Sequence, residues 1–393
     1  MTVTLRGWGL LTAGAALLAV GFVFGYPELA MLGAVAVVAL VSALGHAALK
    51  PVLAVSRAVD PDRVSRGEGS TVTLTIRNIG RFGAATLVAH DRCGWGTDSS
   101  ATVPVPLLRL RRGRQTDVSY PVPTSRRGVV HVGPLQITRR DPLGLVASTR
   151  GHGDTSQIWV YPKAHLMQAV PAGISRSLDG RLDRVPHGAI TFDTLREYVI
   201  GDELRHVHWR TSARVGQLMV REHVDTSLPR IVVLLDDRLG SWPAFTAMTC
   251  EEFESACEAA ASIVTAAVRE DLPITLQLVS GNAAGSGRVR GSARALLDLL
   301  AEADLAQRDE QALVTATNRL RQFRPGDTLI YLTGTGGHGD LALVTGLRGP
   351  FPSVAVGMLG PRLPLEPESV GVLMLRAEDG AEFAAVWDGV ARW

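Results

Sequence analysis

Two uncharged apolar runs stand almost back to back near the start of the sequence, Gly7 to Gly25 and Leu29 to Leu49, with only Tyr26-Pro27-Glu28 between them. As a helix, each run is long enough to cross about 30 Å of hydrocarbon. His46 is the one ionisable side chain inside either run. Its place near the end of the second fits an interfacial group better than a functional group held in lipid. A cleaved leader would need a small-x-small site ahead of a mature domain, whereas here the second run follows at once. The expectation is a transmembrane hairpin over residues 1–50. Arg6 flanks the first run, Lys50 and Arg57 follow the second, and the turn carries only Glu28. The positive-inside rule then predicts a cell-membrane protein with two spans, lipid around the hairpin and a cytoplasmic body.

The hairpin accounts for a composition of 46% hydrophobic residues, because the excess lies in the first fifty positions. At 393 residues the chain exceeds what one core sustains, so two or three units are expected. A net charge of +2 is too balanced for a nucleic-acid partner. Cys93, Cys250 and Cys257 lack metal-ligand spacing and fit reduced, structural thiols.

Beyond the hairpin the hydrophobic period changes twice. Residues 51–165 hold short alternating segments, such as Thr71 to Arg77, Ala85 to Ala89, Asp117 to Val122 and Val129 to Ile137, which predict a small antiparallel β-sandwich-like domain. Within it Arg109, Arg111, Arg112 and Arg114 read as a solvated hairpin loop, since no amphipathic helix accompanies them. Residues 166–228 form a connecting segment, and 229–393 alternate strand and helix. Apolar strands at Ile231 to Leu235, Ile274 to Val279, Thr328 to Leu332, Val354 to Met358 and Val372 to Leu375 are separated by helical stretches, and a last helix is expected from Ala381 to Trp393. That pattern predicts a doubly wound α/β domain with a parallel sheet covered on both faces.

The connecting segment is the most distinctive part of the chain. It contains Arg196-Glu197-Tyr198, Gly201-Asp202, Arg205, Trp209, Ser212-Ala213-Arg214 and Arg221-Glu222. This series resembles the signature of the bacterial family called domain of unknown function 58. Arg140-Asp141-Pro142-Leu143-Gly144-Leu145 and Val160-Tyr161-Pro162 fit the same family. The resemblance implies that the α/β domain is von Willebrand factor type A-like, and that the partner is a MoxR-type AAA+ ATPase acting in assembly or maturation of other proteins. Physically, the acids Asp202, Glu203 and Glu222 among five arginines favour an ion-pair network, with Tyr198 and Trp209 as its apolar part. Such a network suits a docking surface or an interdomain clamp equally.

Type A-like domains often hold a divalent cation on an Asp-x-Ser-x-Ser loop after the first strand. The corresponding loop here is Asp236-Asp237-Arg238-Leu239-Gly240-Ser241. Counted from either Asp, the hydroxyl positions are not both filled. The later strand-end loop, Thr333-Gly334-Thr335-Gly336-Gly337, offers no carboxylate before Asp340. No metal or other cofactor is therefore expected, and Asp236, Asp237, Ser241 and Thr333 remain as a degenerate metal site. The run Gly334 to Gly339 lacks the Lys of a phosphate loop and reads as a flexible sheet-edge loop. His206, His208 and His223 lack a zinc-site spacing.

The sequence thus predicts a non-enzymatic membrane-anchored scaffold or adaptor. Two other classes stand beside it: a hydrolase using Asp202, His206 and His208, and a metal-dependent adhesion module facing the other side of the membrane.

Overall fold

The computed structural model describes residues 2–48, 53–79, 86–95, 99–109, 113–168, 173–176, 182–185, 193–198, 207–223, 230–242, 250–285, 292–309, 311–323, 326–361 and 372–390. The chain divides into two compact units, Met1–Val160 and Tyr161–Trp393.

The first unit opens with a short strand β1 (Thr2–Val3) and two helices, α1 (Leu5–Phe24) and α2 (Pro27–Ala48). At 20 and 22 residues both are long and apolar enough to cross a membrane. Pro27 and Glu28, expected in the turn, lie in the first turn of α2. That is a favoured place for Pro, whose missing N–H would be unpaired there anyway. Gly25, at φ 73°, closes α1 instead. The helices pack on small residues: a Cβ on Gly21 would stand 2.6 Å from the Ala30 nitrogen, and one on Gly33 2.6 Å from Leu18 Cγ. In lipid such close backbone approach replaces the hydrophobic effect as the attraction between helices.

The rest of this unit is antiparallel β. Strands β2 (Leu53–Asp60), β4 (Ser70–Asn78) and β7 (Gln115–Val122) make a three-stranded sheet in the order β2-β4-β7. A second, eight-stranded sheet takes β1, β3 (Arg63–Ser65), β5 (Thr86–Trp95), β6 (Ser99–Arg109), β8 (Gly128–Val132), β9 (Leu135–Arg140), β10 (Val146–His152) and β11 (Ser156–Tyr161). Alternate residues from both sheets meet in one core, with Val72, Leu74 and Ile76 on one side and Val130, Val132 and Ile158 on the other. The single strand expected over Val129 to Ile137 is two strands, because Gly133 at φ 103° and Pro134 break the ladder. The expected hairpin loop joins β6 to β7; residues 110–112 lie outside the described ones, and Arg114 is exposed.

Two sequence features become structural joints in this unit. Asp141 of the Arg140 to Leu145 motif is buried and accepts from the backbone N–H groups of Leu143 and Val146. The turn so fixed presents the Gly144 and Leu145 carbonyls to the Thr4 hydroxyl, at 2.7 and 3.0 Å, where Thr4 also caps α1. Arg57, counted above towards membrane orientation, instead turns its side chain inwards and pairs with both oxygens of Asp91 at 2.9 Å. Tyr120 also donates to Asp91. Near the end of α2, His46 lies 3.1 Å from a guanidinium nitrogen of Arg139.

The second unit begins with the hairpins β12 (Gly173–Arg176) with β13 (Leu182–Val185), and β14 (Asp193–Glu197) with β15 (Met219–His223), the latter enclosing helix α3 (Trp209–Val215). A six-stranded sheet follows, built from β16 (Ile231–Leu235), β17 (Ile274–Leu278), β18 (Ala283–Gly285), β19 (Thr328–Gly334), β20 (Ser353–Leu359) and β21 (Leu373–Ala377). Its order is β18-β17-β16-β19-β20-β21; all pairs are parallel except β17 with β18, an edge strand not anticipated. Residues of β16 alternate between two cores. Ile231, Val233 and Leu235 pack with α4 (Glu251–Arg269), α5 (Ser292–Glu302) and α8 (Gly380–Asp388). Val232 and Leu234 pack with α6 (Gln311–Phe323) and α7 (Leu341–Thr345). Both faces are thus covered, which explains the continuous apolar strands. Helix α8 stops at Asp388, and residues 391–393 of the expected closing helix lie outside the described ones.

Candidate functional site

The strand order reverses between β16 and β19, and the carboxyl ends of strands at such a reversal are where open α/β sheets bind ligands. The loop leaving β16 carries Asp236, Asp237 and Arg238, all buried. Asp236 is fully enclosed. Its carboxylate accepts from Arg238 Nε at 2.8 Å and Nη2 at 2.7 Å, from the hydroxyls of Ser241 and Tyr331 at 2.7 Å each, and from Thr333 at 2.9 Å. Arg238 Nη2 also donates to Asp340 at 2.7 Å. The guanidinium therefore bridges two carboxylates, one on the loop leaving β16 and one at the end of the turn after β19.

Burial by itself would raise the Asp236 carboxyl, but the Arg238 charge and hydrogen bonds, with Ser241 and Tyr331, hold it below the ordinary carboxylate range. The Tyr331 phenol moves the other way, pushed well up by burial and by the neighbouring Asp236 anion. Asp237 points elsewhere: it accepts from the Ser280 N–H at 2.9 Å and lies 3.9 Å from Arg308 Nε, tying the loop to the exit of β17.

The glycines after β19 are not a flexible edge loop. β19 is a central strand, and Thr335–Asp340 form a 3-10 turn packed on the β16 loop. A Cβ on Gly334 would lie 2.3 Å from the Ser241 carbonyl and 2.5 Å from the Trp242 ring. Only glycine lets the two loops approach so closely, and that approach aligns Ser241 and Thr333 on one carboxylate. Beside this cleft the Glu252 carboxyl is buried at the start of α4, and its Oε2 has no hydrogen-bond partner. Burial pushes its pKa up.

The donor set does not suit a metal ion in addition to Arg238. Asp236 already receives five hydrogen bonds from side chains, one donor group being a cation, and Asp340 receives another bond from that cation. Among the described residues no cluster of three or more His, Cys, Asp or Glu side chains stands ready for an ion.

The connecting segment is partly visible. Gly201, Asp202, Arg205 and His206 lie outside the described residues, and for Arg196, Arg221, Glu222 and His223 only the strand backbone is described. Tyr198 is half-buried and its N–H donates to the Leu218 carbonyl at 2.8 Å. Ser212 is a buried joint: its hydroxyl accepts from the Met219 N–H at 2.8 Å and donates to the His208 carbonyl at 3.1 Å. His208 caps α3, its Nδ1 lying 2.8 Å from the Thr211 hydroxyl. Trp209, expected inside an ion-pair network, is instead 64% exposed. Arg210, Arg214, Val215 and Leu218 are exposed with it. Within α3 the small Ser212 holds the helix, while Trp209, Arg210 and Arg214 face outwards.

Sequence reasoning reached Asp236, Asp237, Ser241 and Thr333 but missed Arg238, Tyr331 and Asp340 as their partners. The available signal was a cation two residues after a carboxylate in a loop leaving an apolar strand.

Comparison with known proteins gives one family: the protein of unknown function DUF58 matches at residues 194–331, from β14 into β19. "Uncharacterized protein YeaD" of Bacillus subtilis (strain 168) is 27% identical over 191 residues, 47% of this chain and 48% of that protein. The chain thus spans about half the length of that curated relative. Similar solved structures include a CARDB domain from Pyrococcus furiosus, 15% identical with a TM-score of 0.20, covering 28% of this chain and 88% of that one. A cohesin module from Clostridium perfringens is 12% identical at a TM-score of 0.20, covering 28% and 98%.

Proposed function

The chain carries a DUF58 region at residues 194–331, and from that premise we propose that it is a membrane-anchored, non-enzymatic adaptor. The α1–α2 hairpin holds it in the membrane with a cytoplasmic body, in which a β-sandwich-like domain is followed by a von Willebrand factor type A-like α/β domain. Its partner is an AAA+ ATPase of the MoxR type, and its role lies in assembly or maturation of other proteins.

The observation that carries this reading is helix α3. Trp209 is 64% exposed on a helix pinned from behind by Ser212, with Arg210 and Arg214 beside it. Exposed Trp and Arg on a rigid support is the composition of binding hot spots, where a large flat side chain loses little entropy on docking. The strand order 3-2-1-4-5-6 with an antiparallel third strand supports the type A-like reading. The internal bonding of Asp236 fits an adaptor whose strand-end loops are structural, because that carboxylate is held as a paired anion rather than a free base.

Crosslinking followed by affinity purification from native membranes tests this, with the intact chain beside Trp209→Ala and Arg210→Ala variants. The intact chain recovers an AAA+ ATPase and the Trp209→Ala chain loses it. Equal recovery by both, or no ATPase from either, refutes the proposal.

A further inference from the structure

We propose that the cleft between β16 and β19 is a divalent-cation site in which the Arg238 guanidinium has taken the cation's place, so that replacing Arg238 by a small residue turns it into a working metal site. The inference rests on the geometry of the cleft and not on the identity of any partner.

The oxygen set is that of a hard-cation site. Two carboxylates, Asp236 and Asp340, and three hydroxyls, Ser241, Tyr331 and Thr333, gather around one guanidinium, and every one of them is linked to it directly or through Asp236. Carboxylate and hydroxyl oxygens in this number and mixture are what Mg²⁺, Mn²⁺ or Ca²⁺ take from proteins. The cation actually present is covalently attached, bonded to Asp236 at 2.7 Å and to Asp340 at 2.7 Å through the same nitrogen. A bridging nitrogen between two carboxylates does the electrostatic work of a shared metal: it cancels their repulsion and fixes the two loops against each other.

Three features show that the cleft is built around this arrangement. Arg238 has only 5% of its side chain exposed and Asp236 none, so the pair is not a surface contact. Gly334 and its neighbours allow the loops to close to distances that any Cβ would prevent. The Trp242 indole N–H donates to the Asp236 carbonyl at 3.0 Å and holds the loop that carries Ser241. If Arg238 is removed, two carboxylates and three hydroxyls are left facing each other without a cation, in a setting where an unpaired charge is costly. A divalent ion restores the balance, and a serine at 238 supplies a further oxygen two residues after Asp236. The intact protein should then be indifferent to chelators, and any partner that docks on these loops should do so without metal.

The test uses the full chain in detergent with Mn²⁺ as the probe, read by electron paramagnetic resonance and by the thermal midpoint of unfolding. Wild type is expected to show no bound Mn²⁺ and no shift with Mn²⁺ or chelator. Arg238→Ser is expected to bind a single Mn²⁺ and to gain stability as Mn²⁺ is raised through the millimolar range. Adding Asp340→Asn to that variant should weaken Mn²⁺ binding by roughly tenfold or more. An Arg238→Ser chain that folds and binds no Mn²⁺ overturns the proposal, as does one that stays unfolded and is not rescued by Mn²⁺. Mn²⁺ binding by wild type that is lost in Asp236→Asn also overturns it.

Discussion

Removing Asp236 and removing Arg238 should not cost the α/β domain the same, and the difference can be worked out from the partners left behind. Arg238→Met leaves the Asp236 anion fully enclosed but still hydrogen-bonded by Ser241, Tyr331 and Thr333. Asp236→Leu strands a buried guanidinium with only Asp340 as carboxylate partner, and also removes the carboxylate to which those three hydroxyls donate. Breaking one side of a buried pair costs about 3–5 kcal/mol, so Arg238→Met should fall near the lower end and Asp236→Leu at the upper end or above. Their direct attraction, for charge centres about 4 Å apart at an effective dielectric near 20, is worth about 4 kcal/mol. The Asp236→Leu, Arg238→Met double variant should therefore cost about as much as one single change, not the total of both. The assay is urea unfolding of the full chain in detergent, followed by tryptophan fluorescence, in which the buried Trp242 beside Asp236 reports on this domain. Additivity of the two single variants within about 0.5 kcal/mol would show that the residues are not coupled and would refute the reasoning.

Two further outcomes concern protons. Because Asp236 is held below the ordinary carboxylate range, its pairing adds stability that is fully present above about pH 4 and is lost as pH falls through its folded-state value; the acid midpoint of the α/β domain, measured by fluorescence, should shift upwards in pH for Arg238→Met. Glu252 has the opposite sign: burial raises its pKa, so its neutral form favours folding and its ionisation at neutral pH opposes it. Glu252→Gln should therefore raise the thermal midpoint at pH 7 and have little effect at pH 4, and a lower midpoint at pH 7 would mean that the ionised carboxylate has a stabilising partner.

The local elements were legible in the chain. Uncharged runs of helical length mark α1 and α2, and continuous apolar strands between helical stretches mark a sheet covered on both faces, because hydrophobic period follows which faces are buried. The reading slipped once at a local breaker and elsewhere where tertiary packing overrode a local pattern. Val129 to Ile137 looks like one strand until Gly133 and Pro134 interrupt it. The glycines after β19 look flexible until the β16 loop is packed against them. Trp209 reads as the apolar part of an ion-pair network, yet the small neighbour Ser212 is buried and the indole is exposed.

The sequence by itself determined the apolar hairpin, the change of period from two to that of alternating strands and helices, and the loss of the two hydroxyls from the Asp236 loop. Those properties depend on residues near one another along the chain. Only the tertiary structure decided what replaced the hydroxyls. Tyr331 and Asp340 lie 95 and 102 positions from their partners Asp236 and Arg238, and no spacing rule links residues so far apart. They meet because β16 and β19 are adjacent parallel strands whose ends open on the same side of the sheet. A charge's significance depends on what surrounds it in space, so an arginine that reads along the chain as a defect in a metal motif becomes, in the fold, the cation at its centre.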